Sequence, residues 1–303
     1  MADNLNINEA STATTYPVAT DEISGAHHQR VKIQYGGDGS ATDVSQGTPL
    51  PVEDYLMEVA LGNVSGQVIV QKFGQNAAVG TTFEPITKAG VYQTPTAATA
   101  LEVVSSDAND TSAGTGAQQV TIVGLDSSWN EVSQTISMNG TTAVAVPTSL
   151  VRVYRWYVSR SGTYATATAG SHVGTLTLRV ASAGATWSTI DASAGFPEGQ
   201  SEIGVYTVPD GKTGYILQGD VEVESTKAVD LILFQRPGAD DVTTPFSAMR
   251  LVHRLPGIAD RATIAPRTAL GPFVGPCDIG FMGKVASGTA EVSVSFEVLV
   301  IDD

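Results

Sequence analysis

Residues 291–301 form the clearest alternating stretch of the chain, and this stretch constrains the fold more than any other. Apolar side chains occupy every second position, at Val292, Val294, Phe296, Val298 and Val300. Successive side chains of a β-strand point to opposite faces, so this period predicts a strand with one face against a core. Such a strand needs neighbours in a sheet and a second layer over its apolar face.

The same pattern of short apolar stretches and turns continues upstream. Further strands are expected at residues 68–70, 100–104, 119–123, 131–138, 150–159, 173–180, 213–223 and 228–235. Strands about 8–12 residues apart, with turn signals between them, are typical of sandwiches and jelly rolls. Residues 150–159 are apolar on both faces, which predicts a strand that is covered on both sides. Asn139-Gly140 predicts a hairpin turn, because both residue types tolerate a positive φ.

Three segments are expected from this organisation. The first 20 residues are polar and irregular and predict an arm that becomes ordered against a neighbour, followed by a strand within 26–35 and a short helix at 53–60. The Gly- and Pro-containing stretch 193–200 predicts a domain boundary. The predicted fold class is therefore all-β, with tandem β-sandwich or jelly-roll-like domains and an extended N-terminal arm. The expected bounds are 1–58 for the arm and first strand, 59–195 for a β-sandwich, and 196–303 for a C-terminal β-sandwich or jelly roll.

Charge excludes some partners. The chain has 16 basic and 31 acidic residues, a net charge of −15. A field of this sign repels phosphate backbones and anionic lipids, so neither nucleic acid nor a membrane is expected as a partner. No apolar run reaches the roughly 18 residues of a spanning helix, and the N-terminus lacks the basic and apolar regions of a signal peptide. We therefore expect synthesis in a cytoplasm. An acidic surface suits a protein packed at high copy number, or simply an acidic soluble protein.

Motifs for catalysis are missing from the sequence. It contains no phosphate-binding loop, no Gly-x-Ser-x-Gly elbow and no His-Glu-x-x-His pair. Cys277 is expected to be a buried thiol in a strand, and the Asp107–Asp110 loop departs from the EF-hand pattern, so turn formation explains its acidic residues better. We therefore expect a protein that is not an enzyme and has no catalytic residues, no cofactor and no metal site. Trp129, Trp156 and Trp187 are either sugar-stacking platforms or core residues.

Basic side chains are the candidates for contact between subunits. They are His27, His28, Arg30, Arg250, Arg254, Arg261 and Arg267. Arginine suits two-pronged contacts with carboxylates. The arginines of residues 250–267 are expected to pair with acidic groups of the same chain or of a neighbouring subunit.

Three stretches carry a resemblance to a known family. VATDEISGAHHQRVKIQYGGDG at 18–39, with PLPV at 49–52, resembles an N-terminal segment of tailed-bacteriophage structural proteins. SSDANDTSAGTGAQQVTIVGLDSSWNEVSQTISMNGTTAV at 105–144 resembles a module of tailed-phage virion proteins, and YTVPDGKTGYI at 206–216 is similar to the start of a C-terminal β domain in them.

The resemblance implies a tailed-phage virion structural protein of the head-decoration or tail-associated kind. Such a protein is assembled in the host bacterial cytoplasm as a homo-oligomer, by analogy a trimer, and has the major capsid protein or tail proteins as partners. The first hypothesis is an outer capsid decoration protein that stabilises the shell. The alternative is a tail, collar or fibre component for host attachment, with glycan binding as one form of it.

Overall fold

The computed structural model describes residues 5–8, 15–18, 20–23, 26–29, 33–35, 42–46, 54–164, 166, 170–192, 198–224 and 227–303. Of these residues 54% lie in β-strands and 2% in helix, so the regular structure is almost entirely β, which confirms the predicted all-β class. Within these ranges, no helix combines the length and the apolar character that a membrane-spanning helix needs. The chain divides into two compact units, residues 1–58 and residues 59–303.

The described residues of the first unit form three short antiparallel strand pairs. Its strands are β1 (Leu5–Asn8), β2 (Thr15–Val18), β3 (Thr20–Ile23), β4 (Ala26–Gln29), β5 (Gln34–Tyr35) and β6 (Thr42–Asp43). They pair as β1-β2, β3-β4 and β5-β6. The expectation of an irregular segment over the first 20 residues is wrong for β1 and β2, where Ile7 lies opposite Tyr16 in register. Apolar β-branched and aromatic residues favour such pairing even in a polar segment. Of the strand expected within 26–35, residues 30–32 lie outside the described residues.

A single turn-and-a-half of helix precedes the large unit. This helix, α1 (Tyr55–Ala60), begins after Asp54, whose carboxylate accepts hydrogen bonds from the backbone N–H groups of Leu56 (2.9 Å) and Met57 (3.3 Å). Such a cap satisfies N–H groups that have no partner within the helix. Gly62, at φ 77°, ends it. The predicted helix and its end are confirmed.

The second unit contains every strand that the sequence pattern predicted beyond residue 66. Its strands are β7 (Gln67–Val79), β8 (Glu84–Pro85), β9 (Leu101–Ser105), β10 (Ala117–Leu125), β11 (Glu131–Ser137), β12 (Val144–Ala145), β13 (Arg152–Ser161), β14 (Leu176–Val180), β15 (Thr186–Ile190), β16 (Val205–Val208), β17 (Lys212–Val223), β18 (Val229–Pro237), β19 (Arg250–Ile258), β20 (Arg261–Ile264), β21 (Leu270–Val274), β22 (Cys277–Val285) and β23 (Ala290–Asp302). They pair antiparallel into sheets with the orders β11-β10-β13, β12-β9-β14-β15, β16-β22-β18-β19 and β20-β17-β23-β7.

These four sheets form two sandwiches. The first encloses a core shared by the sheets β11-β10-β13 and β12-β9-β14-β15, and the indole N–H of Trp156 on β13 reaches the hydroxyl of Ser188 on β15 at 2.9 Å. The second encloses a core shared by the other two sheets, in which the rings of Phe281 on β22 and Phe296 on β23 lie 5.6 Å apart, edge to face. The predicted tandem arrangement of sandwiches is confirmed.

Strand β13 lies between the two cores. Val153 and Trp156 pack into the first core, whereas Val151, just before the strand, and Tyr154 pack into the second. The prediction of a strand covered on both faces is therefore confirmed. Strand β7, placed by the sequence in the 59–195 segment, is hydrogen-bonded along β23. Residues 59–303 thus share continuous packing, and the boundary expected at 195/196 stays a prediction.

The expected hairpin at Asn139-Gly140 is wrong. Strand β11 pairs with β10 and strand β12 pairs with β9, so the dipeptide connects two sheets of one sandwich. Gly140 has φ 59°, its N–H bonds the carbonyl of Asp110 at 2.7 Å, and a Cβ there would meet the backbone of Ala108 at 3.0 Å. Glycine is needed for this close crossing of two loops.

Candidate assembly surface

Strand β19 is the exposed edge of its sheet. In the described part of the chain it is hydrogen-bonded to β18 alone, and two register shifts interrupt that pairing. Val252, Leu255 and Ile258 pack against the second core. The bulges therefore let the strand turn several other side chains to solvent, Arg250 and Arg254 among them.

The exposed side of β19 is basic and apolar together. We call residues 250–258 the basic strand. From Val242 to Ala259 the sequence has no acidic residue. Leu251 is 58% exposed, and Met249, which immediately precedes the strand, is 54% exposed. An exposed edge with apolar side chains is a template for association unless charges or proline protect it, as Pro256 does here in part.

The other candidate arginines lie elsewhere. Arg261 on β20 pairs with Asp220 at 3.1 Å, so the expected pairing within the chain is confirmed there. The pKa of the Asp220 carboxyl is held below its usual value by the Thr263 hydroxyl, at 2.6 Å, and by Arg261. Arg267 is exposed between β20 and β21. Ion pairs among the described residues do not include Arg250, Arg254 or Arg267.

The N-terminal candidates are in the first unit. His27 and His28 lie on β4, where they stand opposite Glu22 and Asp21 of β3 in register. Arg30 lies outside the described residues. The proposed role of these three residues in subunit contacts stays a prediction.

The outer side of the sheet β20-β17-β23-β7 is acidic. It carries Asp220, Glu222, Glu224, Glu291 and Glu297, and we call these five carboxylates the acidic face. The same side carries one cation of β20, Arg261, which stands opposite Glu222 in register and pairs with Asp220. They point outward because alternate residues of β17 and β23 belong to the second core. A shallow groove of about 280 Å³ runs between the strands and is lined in part by Glu222, Ser293 and the half-buried Phe73.

A buried ion pair joins the two sandwiches. Arg152 on β13 and Asp278 on β22 are 0% and 2% exposed. The guanidinium donates two hydrogen bonds to the carboxylate, at 2.8 and 2.9 Å. Thr207 donates a third at 2.6 Å and in turn accepts one from the Tyr92 hydroxyl at 2.6 Å. The Trp129 ring covers the guanidinium at 4.9 Å.

This pair was not anticipated. A charge that is buried in a strand between two cores needs a partner. The sequence did not distinguish Arg152 from the half-buried Arg155 and the exposed Arg160 of the same strand. Nor did it indicate Asp278, which lies 126 positions away.

Asp110 organises the loops at one end of the first sandwich. Its buried carboxylate accepts hydrogen bonds from the Ser105 hydroxyl and from the backbone N–H groups of Ala117, Val173 and Gly174, at 2.6–2.9 Å. The Asp107 carboxylate accepts the N–H of Asn109 at 2.8 Å. The role in turn formation predicted for this loop is confirmed.

The aromatic and thiol candidates are largely core residues. Trp156 and Trp187 are buried in the first core, which confirms the core interpretation for both. Trp129 is half-buried over Arg152. Cys277 is buried in β22, and burial, with the Asp278 charge beside it, raises the pKa of its thiol to about 12. It is the buried strand thiol that the sequence predicted.

Comparison with known proteins gives no family. No protein-family model and no curated protein matches the chain. Among solved structures, a D431N mutant VP2 protein of infectious bursal disease virus, in derived T=1 particles, is 10% identical over 83% of this chain and 79% of that one, with a TM-score of 0.19. A VP2 subviral particle of the same virus is also 10% identical, covering 82% and 81%, with a TM-score of 0.17. TM-scores this low assign neither a fold nor a function to this chain.

Proposed function

We propose that this protein is a non-enzymatic structural component of a virus particle, and specifically an outer capsid decoration protein of a tailed bacteriophage. The observation that carries the proposal is the basic strand, an exposed edge on which arginines stand beside the exposed Leu251, in a chain whose buried apolar side chains lie mainly in two continuous cores. Exposed apolar side chains beside arginines mark a contact surface. The resemblance of residues 18–52 and 105–144 to tailed-phage virion proteins is the reason for proposing a tailed-phage particle.

The interior supports a scaffold role. The most buried charged groups, Arg152, Asp278 and Asp110, are engaged with one another or with backbone. They cross-link strands that are far apart in sequence. A structure held in this way presents its outer surfaces in fixed positions, as a protein that repeats over a shell requires.

Locating the protein in intact particles tests the proposal. Cryo-EM of purified virions, with antibody labelling, gives its position and copy number. We expect density on the outer shell, with a copy number that follows capsomer symmetry. Particles that contain no copies would contradict the virion assignment, and density confined to the tail would contradict decoration.

The second candidate is a tail, collar or fibre component that takes part in host attachment. It is supported by the same resemblance, since related modules occur in tail proteins. A copy number that is a small multiple of three or six would favour it. Glycan binding by this form would depend on Trp129 rather than on the buried Trp156 and Trp187, and a glycan array with a Trp129→Ala variant tests it.

A further inference from the structure

The basic strand has an outer edge that pairs with no other strand among the residues that the structure describes. Its outer edge has backbone groups that do not pair within the described residues, and Arg250 and Arg254 project beside the exposed Leu251. The chain as a whole carries a charge of −15. A local cluster of cations on so acidic a molecule is complementary to most of the rest of its own surface.

Pairing of two basic strands edge to edge is disfavoured by their charges. An antiparallel pair centred on Val252 sets Arg250 of each copy opposite Arg254 of the other. A pair centred on Arg254 places two copies of that residue together. Like charges directly opposite each other destabilise a strand pair, and Pro256 cannot donate to it. In both of these registers two arginines meet, whereas an acidic partner surface offers each arginine a carboxylate.

The acidic face has the matching properties. Glu222 and Glu291 line a groove of about 280 Å³ with Glu224, and the described residues that line this groove include no cation. The neighbouring groove of the same face includes the half-buried ring of Phe73. Carboxylates surrounding an apolar spot are the complement of arginines that flank Leu251 and Met249.

We propose that the basic strand of one copy docks on the acidic face of a second copy. The contact places Arg250 and Arg254 against carboxylates of β17 and β23, and Leu251 toward Phe73. The two surfaces differ, so the contact is head-to-tail and continues from copy to copy until a ring closes. The inference rests on the proposed function, since it names the partner surface within the homo-oligomer.

Complementary charge reversal tests the contact in the full chain. We compare Arg254→Glu with Glu222→Lys by sedimentation velocity over a range of protein concentrations at low ionic strength. Each variant alone sets like charges against each other in every contact, so we expect self-association to weaken at least about tenfold. In the double variant Arg254→Glu/Glu222→Lys the reversed strand meets the reversed face in every contact, whatever the number of copies in the ring, so association should return. Added salt should weaken the wild-type contact, because exposed charges are screened.

Matched variants control for net charge and folding. Arg160→Glu and Asp210→Lys change the charge by the same amounts at exposed positions outside both surfaces and should associate as the wild type does. Near-UV circular dichroism and the unfolding midpoint check that each variant is folded.

Three results would overturn the inference. They are a wild-type monomer at the highest attainable concentration, unweakened association in both reversed variants, and a double variant that stays dissociated. None of these results bears on where the protein lies in virions, so failure of the contact is distinguishable from failure of the proposed function.

Discussion

Removing one partner of the Arg152–Asp278 pair should destabilise the protein strongly. Arg152→Met deletes both hydrogen bonds to the carboxylate and leaves Asp278 buried, with the Thr207 hydroxyl at 2.6 Å and the nearest other guanidinium, that of Arg236, at 4.0 Å. Breaking a buried pair in this way costs about 3–5 kcal/mol, because the remaining charge has lost both water and its counter-ion. Asp278→Leu should cost a similar amount.

The double variant separates two explanations of that cost. If the loss comes from an orphaned charge, Arg152→Met/Asp278→Leu has none and should lie closer in stability to the wild type than either single variant does. Apolar replacements of a buried pair are often nearly neutral. The coupling free energy between the two positions should then be about 3 kcal/mol or more, larger than for most contacting pairs.

Urea denaturation followed by tryptophan fluorescence measures these free energies. Trp129, stacked on Arg152, reports on the junction of the sandwiches. Arg179→Met is the matched control, since Arg179 also meets its carboxylate partner Glu102 at 2.8 Å, but the two side chains are 27% and 13% exposed. We expect a loss of about 1 kcal/mol or less there. Single-variant losses that simply add in the double variant would refute the orphaned-charge explanation.

Three further outcomes follow from other buried groups. Asp110→Ala removes the acceptor of the buried N–H groups of Ala117 and Gly174 and of the part-buried N–H of Val173, and should cost about 3 kcal/mol in urea denaturation. Burial, and secondarily the charge of Arg155, lowers the pKa of Lys72. The unfolded state therefore binds more protons than the folded state, and the free energy of unfolding should rise from about pH 7 to about pH 9. In Lys72→Met, measured over the same pH range, this rise should be smaller. Cys277 should react with a thiol reagent only as fast as the protein opens, so its labelling rate in native buffer should be far below that of the urea-unfolded chain.

Much of the fold could be predicted because strand formation leaves a local pattern. The period-two alternation of residues 291–301 is set by which side chains meet the core, and β23 covers those residues with one extra at each end. Residues 150–159 carried apolar groups on both faces because β13 lies between two cores. The pattern of consecutive residues therefore indicates whether a strand is buried on one face or on both.

Sheet assignment could not be predicted in the same way. Strand β7 pairs with β23, more than 200 positions away, and nothing in residues 67–79 specifies that partner. The Asn139-Gly140 signal was misread for a related reason. The positive φ of Gly140 allows two loops to cross at Ala108 and does not form a hairpin. An Asn-Gly dipeptide indicates a positive φ but not the kind of connection in which it occurs.

The candidate site divides along the same line. Exposed arginines at 250 and 254 could be named from sequence because a cluster free of acidic residues is a local property. The acidic face could not, because its carboxylates come from β17 and β23, about 70 positions apart, and only the register that sets Glu222 opposite Ser293 brings them onto one surface. The sequence therefore shows the basic strand, whose residues are contiguous, but not the acidic face, whose residues come from separate strands. The Glu222→Lys variant tests the acidic face, which only the structure reveals.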